Sequence, residues 1–132
     1  ERAKSVVTGT DAVMHLVHVV RPLDTVYSGF GAVGLSGEIT AQAARLEQEA
    51  YRQAEEQVAG LARDYGIETA NAAVRTGQPA AEIRAAAEDC GADLIIMGTH
   101  ARHGLGLLLG STANGVLHGV PCDILAVRVA QD

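Results

Sequence analysis

The chain has 132 residues, with ten Lys and Arg against sixteen Asp and Glu for a net charge of −6. That length suits one domain around one core, since two domains would each be marginal. The acidic balance argues against nucleic acid as a partner, as do the absence of a basic block and the scarcity of aromatics, which are Phe30, Tyr27, Tyr51 and Tyr65.

The opening "ERAKSVVTG" reads as the last turns of a helix. Residues 12–20, "AVMHLVHVV", are β-branched and almost wholly apolar, the pattern of a strand buried on both faces. Residues 21–38, "RPLDTVYSGFGAVGLSGE", have no usable period and are rich in Gly and Ser, which predicts a long loop. Helix formers dominate residues 40–65, where Leu46, Ala50, Ala54, Val58 and Leu61 form an apolar stripe and Gly66 provides the stop.

Residues 67–74, "IETANAAV", alternate as a strand. The stretch "TGQPAAEIRAAAEDCGA" then puts Pro79 at a first helical position and Gly91 just past the end. "DLIIMG" (93–98) reads as a buried strand, "STANGVLHG" (111–119) as a short helix and "DILAVRV" (123–129) as a last strand. Strands alternating with helices predict an α/β fold with a parallel sheet covered on both faces, whose ligands bind at the carboxyl ends of the strands.

A sheet of this kind normally begins with a strand, so a first strand and most of a first helix are expected upstream of Glu1, residues 1–132 being a single domain that lacks them. No apolar run approaches the roughly 20 residues that span a bilayer, and no leader pattern opens the chain, so a soluble, cytoplasmic protein without a membrane partner is expected. Cys90 and Cys122 are too few for a disulfide framework and are expected to be buried structural thiols.

"GFGAVG" (29–34) matches the dinucleotide pattern G-x-G-x-x-G, but its first glycine comes nine residues after Val20 instead of in the turn between strand and helix, which favours a loop. His100, His103, His118 and Cys122 lack the paired spacings of a zinc site, and no G-x-S-x-G elbow is present. The strongest signal is the segment from Gly98 to Ser111. Gly98 ends a strand, Gly104, Gly106 and Gly110 follow, and Ser111-Thr112 open a helix. Unpaired amides and a hydroxyl there can hold an anion, with Arg102 adding a charge-assisted contact, or the glycines can simply turn the chain while Ser111 caps the helix.

At these residues the chain resembles the universal stress protein family, through "LVHVV", "TGQPAAEI", "ADLIIMGTHARHG" and "LLLGSTANGVLHGVPCDILAVRV". The resemblance implies a Rossmann-like five-stranded parallel sheet of order 3-2-1-4-5, in which the strand expected upstream of Glu1 is the central one. It implies a homodimer through the last strand, residues 123–129, whose edge the second copy covers. In ATP-binding members the phosphates lie on a G-x2-G-x9-G-[S/T] loop. Carried over by position, Val19 would touch adenine or ribose through its backbone. Met97, Gly98, His100 and Ala101 would line ribose and phosphates, and Gly110, Ser111 and Thr112 would bind phosphate.

This chain departs from the ATP pattern at three points. Ala101 stands where the second glycine would, and a positive φ is costly for it. Only eight residues, 102–109, precede Gly110, which moves it relative to Gly98 by up to about 3.5 Å. The Asp that reaches adenine in binders would lie upstream of Glu1. The shorter spacing is similar to the A-type branch, regarded as not binding ATP, whereas Gly110-Ser111 is kept as in binders. The expected function is therefore a dimeric stress-response sensor or adaptor that binds ATP or AMP weakly or conditionally, with Mg accompanying ATP. The alternative is an A-type stress protein acting only through dimerisation and protein partners. No base or metal carboxylate cluster is positioned for phosphoryl transfer, so no enzyme is expected, slow ATP hydrolysis through His100 or His103 being the remaining option.

Overall fold

The structure is a computed structural model, in which residues 1–22, 37–100 and 111–129 are described. The elements are α1 (Arg2–Val7), β1 (Leu16–Val20), α2 (Gly37–Tyr65), a 3-10 turn (Thr69–Asn71), β2 (Ala72–Thr76), α3 (Pro79–Cys90), β3 (Leu94–His100), α4 (Ser111–Leu117) and β4 (Asp123–Val129). They fall into two compact units, one of residues 14–78 and one of residues 1–13 with 79–132.

In the first unit β1 and β2 pair in parallel, Leu16 opposite Ala72 and Val20 opposite Thr76, and α2 packs on both strands. Ala54, Val58 and Ala62 are the buried residues of α2. This corrects the expected stripe, because Leu46 is 59% and Leu61 is 44% exposed. Successive helical residues are roughly 100° apart, so on a face centred on Val58 Leu46 lies about 120° away and Leu61 about 60°. Tyr51, about 20° from that centre, turns toward the sheet and donates its hydroxyl to the Val74 carbonyl at 3.4 Å.

On the solvent side of α2, Arg52 donates to Glu49 at 2.7 Å and pairs with Glu56, and Gln53 also donates to Glu49. These hydrogen bonds, that from Arg52 first, hold the Glu49 carboxyl below its ordinary value. Whatever stability this gives is present above the ordinary carboxylate range and is lost as pH falls through the lowered value.

The helix ends as Gly66 predicts. Gly66 adopts φ +69° and donates to Arg63, and Ile67 donates to Ala62 at 2.8 Å. The same two-bond cap closes α3, with Gly91 at φ +62° and Ala92 donating to Ala87 at 2.9 Å.

In the second unit β3 and β4 pair in parallel from Leu94 opposite Asp123 to His100 opposite Val129. α3 packs on α4, with Ala80, Ala86 and Ala87 buried on one and Ala113 and Val116 on the other. At their crossing an added Cβ on Gly115 would stand 2.8 Å from the Ala80 Cβ. Only glycine at 115 lets the two helices approach so closely.

Several expectations are corrected. The first strand begins at Leu16, not residue 12, and is half-buried, not buried on both faces, because one helix covers it and β2 takes only one of its edges. Residues 67–74 do not form one strand. The 3-10 turn takes Thr69–Asn71 and the strand shifts to Ala72–Thr76. Cys90 is exposed and Cys122 half-buried, since each lies at the end of an element and not under it. The described strands are all parallel, as expected of an α/β fold, yet they form two two-stranded sheets instead of one of five. No described segment pairs with the second edge of β1 or β3, so the expected order 3-2-1-4-5 is not seen among the described residues. No helix among the described residues is long and apolar enough to cross a membrane.

Candidate functional site

Parallel ladders alternate, each residue turning both its N–H and its C=O to the same side and the next residue turning them to the other. In β1, the Val20 carbonyl accepts from Gly77 beyond β2 at 3.0 Å. Val19 therefore directs its main-chain groups to the edge that β2 does not take. In β3, the register is fixed by Asp93, which accepts from the Asp123 N–H at 3.3 Å. Odd-numbered residues of β3 face β4, so Met97 does, whereas Gly98 points its N–H and C=O away. Val19 and Gly98 thus each turn their main-chain groups away from the strand they pair with.

The remaining expected residues are distributed as follows. Met97 is half-buried in β3, Gly98 is exposed, and His100 closes that strand. Ser111 opens α4, followed by the half-buried Thr112. Ala101, Arg102 and Gly110 lie outside the described residues, as do His103, the other loop glycines and the "GFGAVG" segment. Val19 belongs to one compact unit and Met97, Gly98, His100, Ser111 and Thr112 to the other.

A groove of about 440 Å³ opens at the carboxyl end of β1 and β2 against α2, lined by Val20, Arg21, Pro22, Glu47, Tyr51, Arg52 and Thr76 among others. None of the expected nucleotide residues that are described, Val19, Met97, Gly98, His100, Ser111 and Thr112, lines it. Its Arg52 is already engaged by Glu49 and Glu56, so this wall offers an anion little. Among the described residues no group of three His, Cys, Asp or Glu is placed to hold a metal ion.

Sequence reasoning missed Arg84. Its Nη1 donates to the Gly115 carbonyl at 3.2 Å and the His118 carbonyl at 2.7 Å, satisfying the carboxyl end of the helix that begins at Ser111. Its partners lie more than thirty residues away in sequence, and no local pattern announces them. Arg84→Met is expected to lower stability by about 1–3 kcal/mol, seen as a lower urea midpoint with unchanged slope. Arg84→Lys should recover only part of it, because the shorter lysine side chain must bring its ammonium to both carbonyls that Nη1 now reaches.

Parallel strand pairs with helices packed on them define an α/β protein with ligand-accessible strand ends. The family model described as the universal stress protein family matches residues 1–128. The chain is 38% identical over 130 residues to universal stress protein A homolog 2 of Coxiella burnetii, covering 98% of this chain and 83% of that protein. It is 32% identical to universal stress protein MJ0531 of Methanocaldococcus jannaschii, covering 89% and 74%. Among solved structures, that of hypothetical protein MJ0577 superposes with a TM-score of 0.71 at 24% identity, over 99% of this chain and 85% of that one, a likeness of fold. The chain belongs to the universal stress protein family.

Proposed function

We propose that this chain is a dimeric stress-response sensor or adaptor that binds an adenine nucleotide, ATP or AMP, weakly, without turnover that would make it an enzyme. The observation that carries the reading is the outward main chain of Val19 and Gly98, each in the carboxyl-terminal half of its own parallel strand, toward the end where such folds take their ligands. Val19, Met97, Gly98, His100, Ala101, Arg102, Gly110, Ser111 and Thr112 are the contact residues in this reading. Mg would arrive with ATP and be held mainly by its phosphate oxygens, as Mg at nucleotide sites usually is.

The same reading places a second copy of the chain along the outer edge of β4. Its site of action is the cytoplasm. Calorimetric titration of Mg-ATP into the protein tests it. A dissociation constant in the micromolar range, about −8 kcal/mol, lost in Gly110→Val, is the expected result. No heat at millimolar ATP would leave the adaptor that works through dimerisation and protein partners alone, the reading favoured by the eight-residue spacing before Gly110.

A further inference from the structure

Cys90 and Cys122 are free thiols at the same end of the β3–β4 pair. Cys90 is the last residue of α3, and the chain turns through Gly91 to reach Asp93. Asp93 accepts the N–H of Asp123, the residue that follows Cys122. Continuing the Leu94–Asp123 register by one step sets Cys122 beside Asp93, three residues from Cys90. Among the described residues the Cys90 Sγ makes a long local contact to the Ala87 carbonyl at 3.7 Å, in a last helical turn of the kind that frays.

The two thiols differ. Cys90 is exposed, whereas Cys122 is half-buried and its thiol is pushed up by burial, then by Asp123, Asp93 and Cys90. An oxidant therefore meets Cys90 first, with Cys122 as the partner behind it.

We propose that Cys90 and Cys122 are a peroxide-responsive pair that closes into an intramolecular disulfide. The Cys90 thiolate attacks one oxygen of hydrogen peroxide, the O–O bond breaks, and the departing hydroxide takes up the thiol's proton as water, leaving a sulfenic acid. The Cys122 sulfur then attacks the Cys90 sulfur, the S–O bond breaks as the S–S bond forms, and the second hydroxide leaves as water with the Cys122 proton. Two thiols are oxidised by two electrons and one peroxide is reduced to two waters. The bridge ties the end of α3 to the start of β4 and closes the segment that carries β3 and α4. Gly98 and Ser111 both lie inside that closed segment, so the oxidant acts on the stretch that the nucleotide reading uses.

The test treats the reduced chain with a few equivalents of hydrogen peroxide, alkylates the remaining thiols and maps the peptides by mass spectrometry. The expected result is a linked Cys90–Cys122 peptide in a species that runs as a single chain without reductant and reverts with dithiothreitol. Cys122→Ser should then accumulate dimedone-reactive sulfenic acid on Cys90, at least tenfold above the unsubstituted protein. Both thiols still alkylated after peroxide, Cys90 driven to sulfinic acid with Cys122 alkylated, or a disulfide only between two chains would each overturn the proposal.

Discussion

Gly115→Val lowers the stability of this protein by about 2–3 kcal/mol, a fall in Tm on the order of 10 °C, because the new side chain has no room at the crossing of α3 and α4. Even a single Cβ there would meet the Ala80 Cβ at 2.8 Å, well inside van der Waals contact. Helix propensity runs the other way, since glycine inside a helix is roughly 1 kcal/mol worse than alanine. The sign is therefore a direct contest, and the close approach wins. Gly115→Ala is the more discriminating variant. Its loss should be partly recovered by Ala80→Gly, a coupling that a double-mutant cycle measured by urea denaturation would resolve. Additive effects, or a stabilised Gly115→Ala, would mean that the helices separate without penalty.

Ala126→Pro should convert the proposed dimer to a monomer while leaving the fold intact. In β4, Asp123 gives its N–H to β3, so the alternation sends the Ala126 N–H to the outer edge. Proline there removes only an outward donor and disturbs a second copy pairing along that edge. A weakening of dimerisation of about 100-fold, roughly 3 kcal/mol, is expected by sedimentation equilibrium. Leu125→Pro, one residue away, deletes a donor that faces β3 and should unfold the second unit. The pair of variants separates interface from fold. A dimer unchanged in Ala126→Pro would remove β4 as the contact edge.

Much of the architecture was legible because its causes are local. Gly66 and Gly91 end their helices through positive φ and the two backbone bonds that follow, and both positions stand out in the sequence. Pro79 opens α3 where its missing N–H has no partner to lose. The alternation of strand and helix predicted parallel pairing, and the register of β3 against β4 bears it out. The failures have one cause, dependence on distant partners. Residues 12–15 are as β-prone as those after them, yet β2 supplies a pairing partner only from Leu16 onward. The apolar stripe of α2 was drawn through Leu46 and Leu61, but the sheet takes the face centred on Val58, with Tyr51 reaching the Val74 carbonyl.

The candidate site divides along the same line. Sequence by itself determined the family, the glycines and hydroxyls of the segment after β3, and the shortened spacing before Gly110, since these are matters of residue type and count. Which main-chain groups are offered at the strand ends was settled only by the ladders, because a shift of one residue would exchange Val19 for Val20 and Gly98 for Met97. Tertiary structure alone likewise joined Arg84 to the end of α4, brought Gly115 against Ala80, and set Cys122 beside Asp93. Each of these contacts joins residues about thirty positions apart, a relation fixed by packing and register that no local pattern encodes.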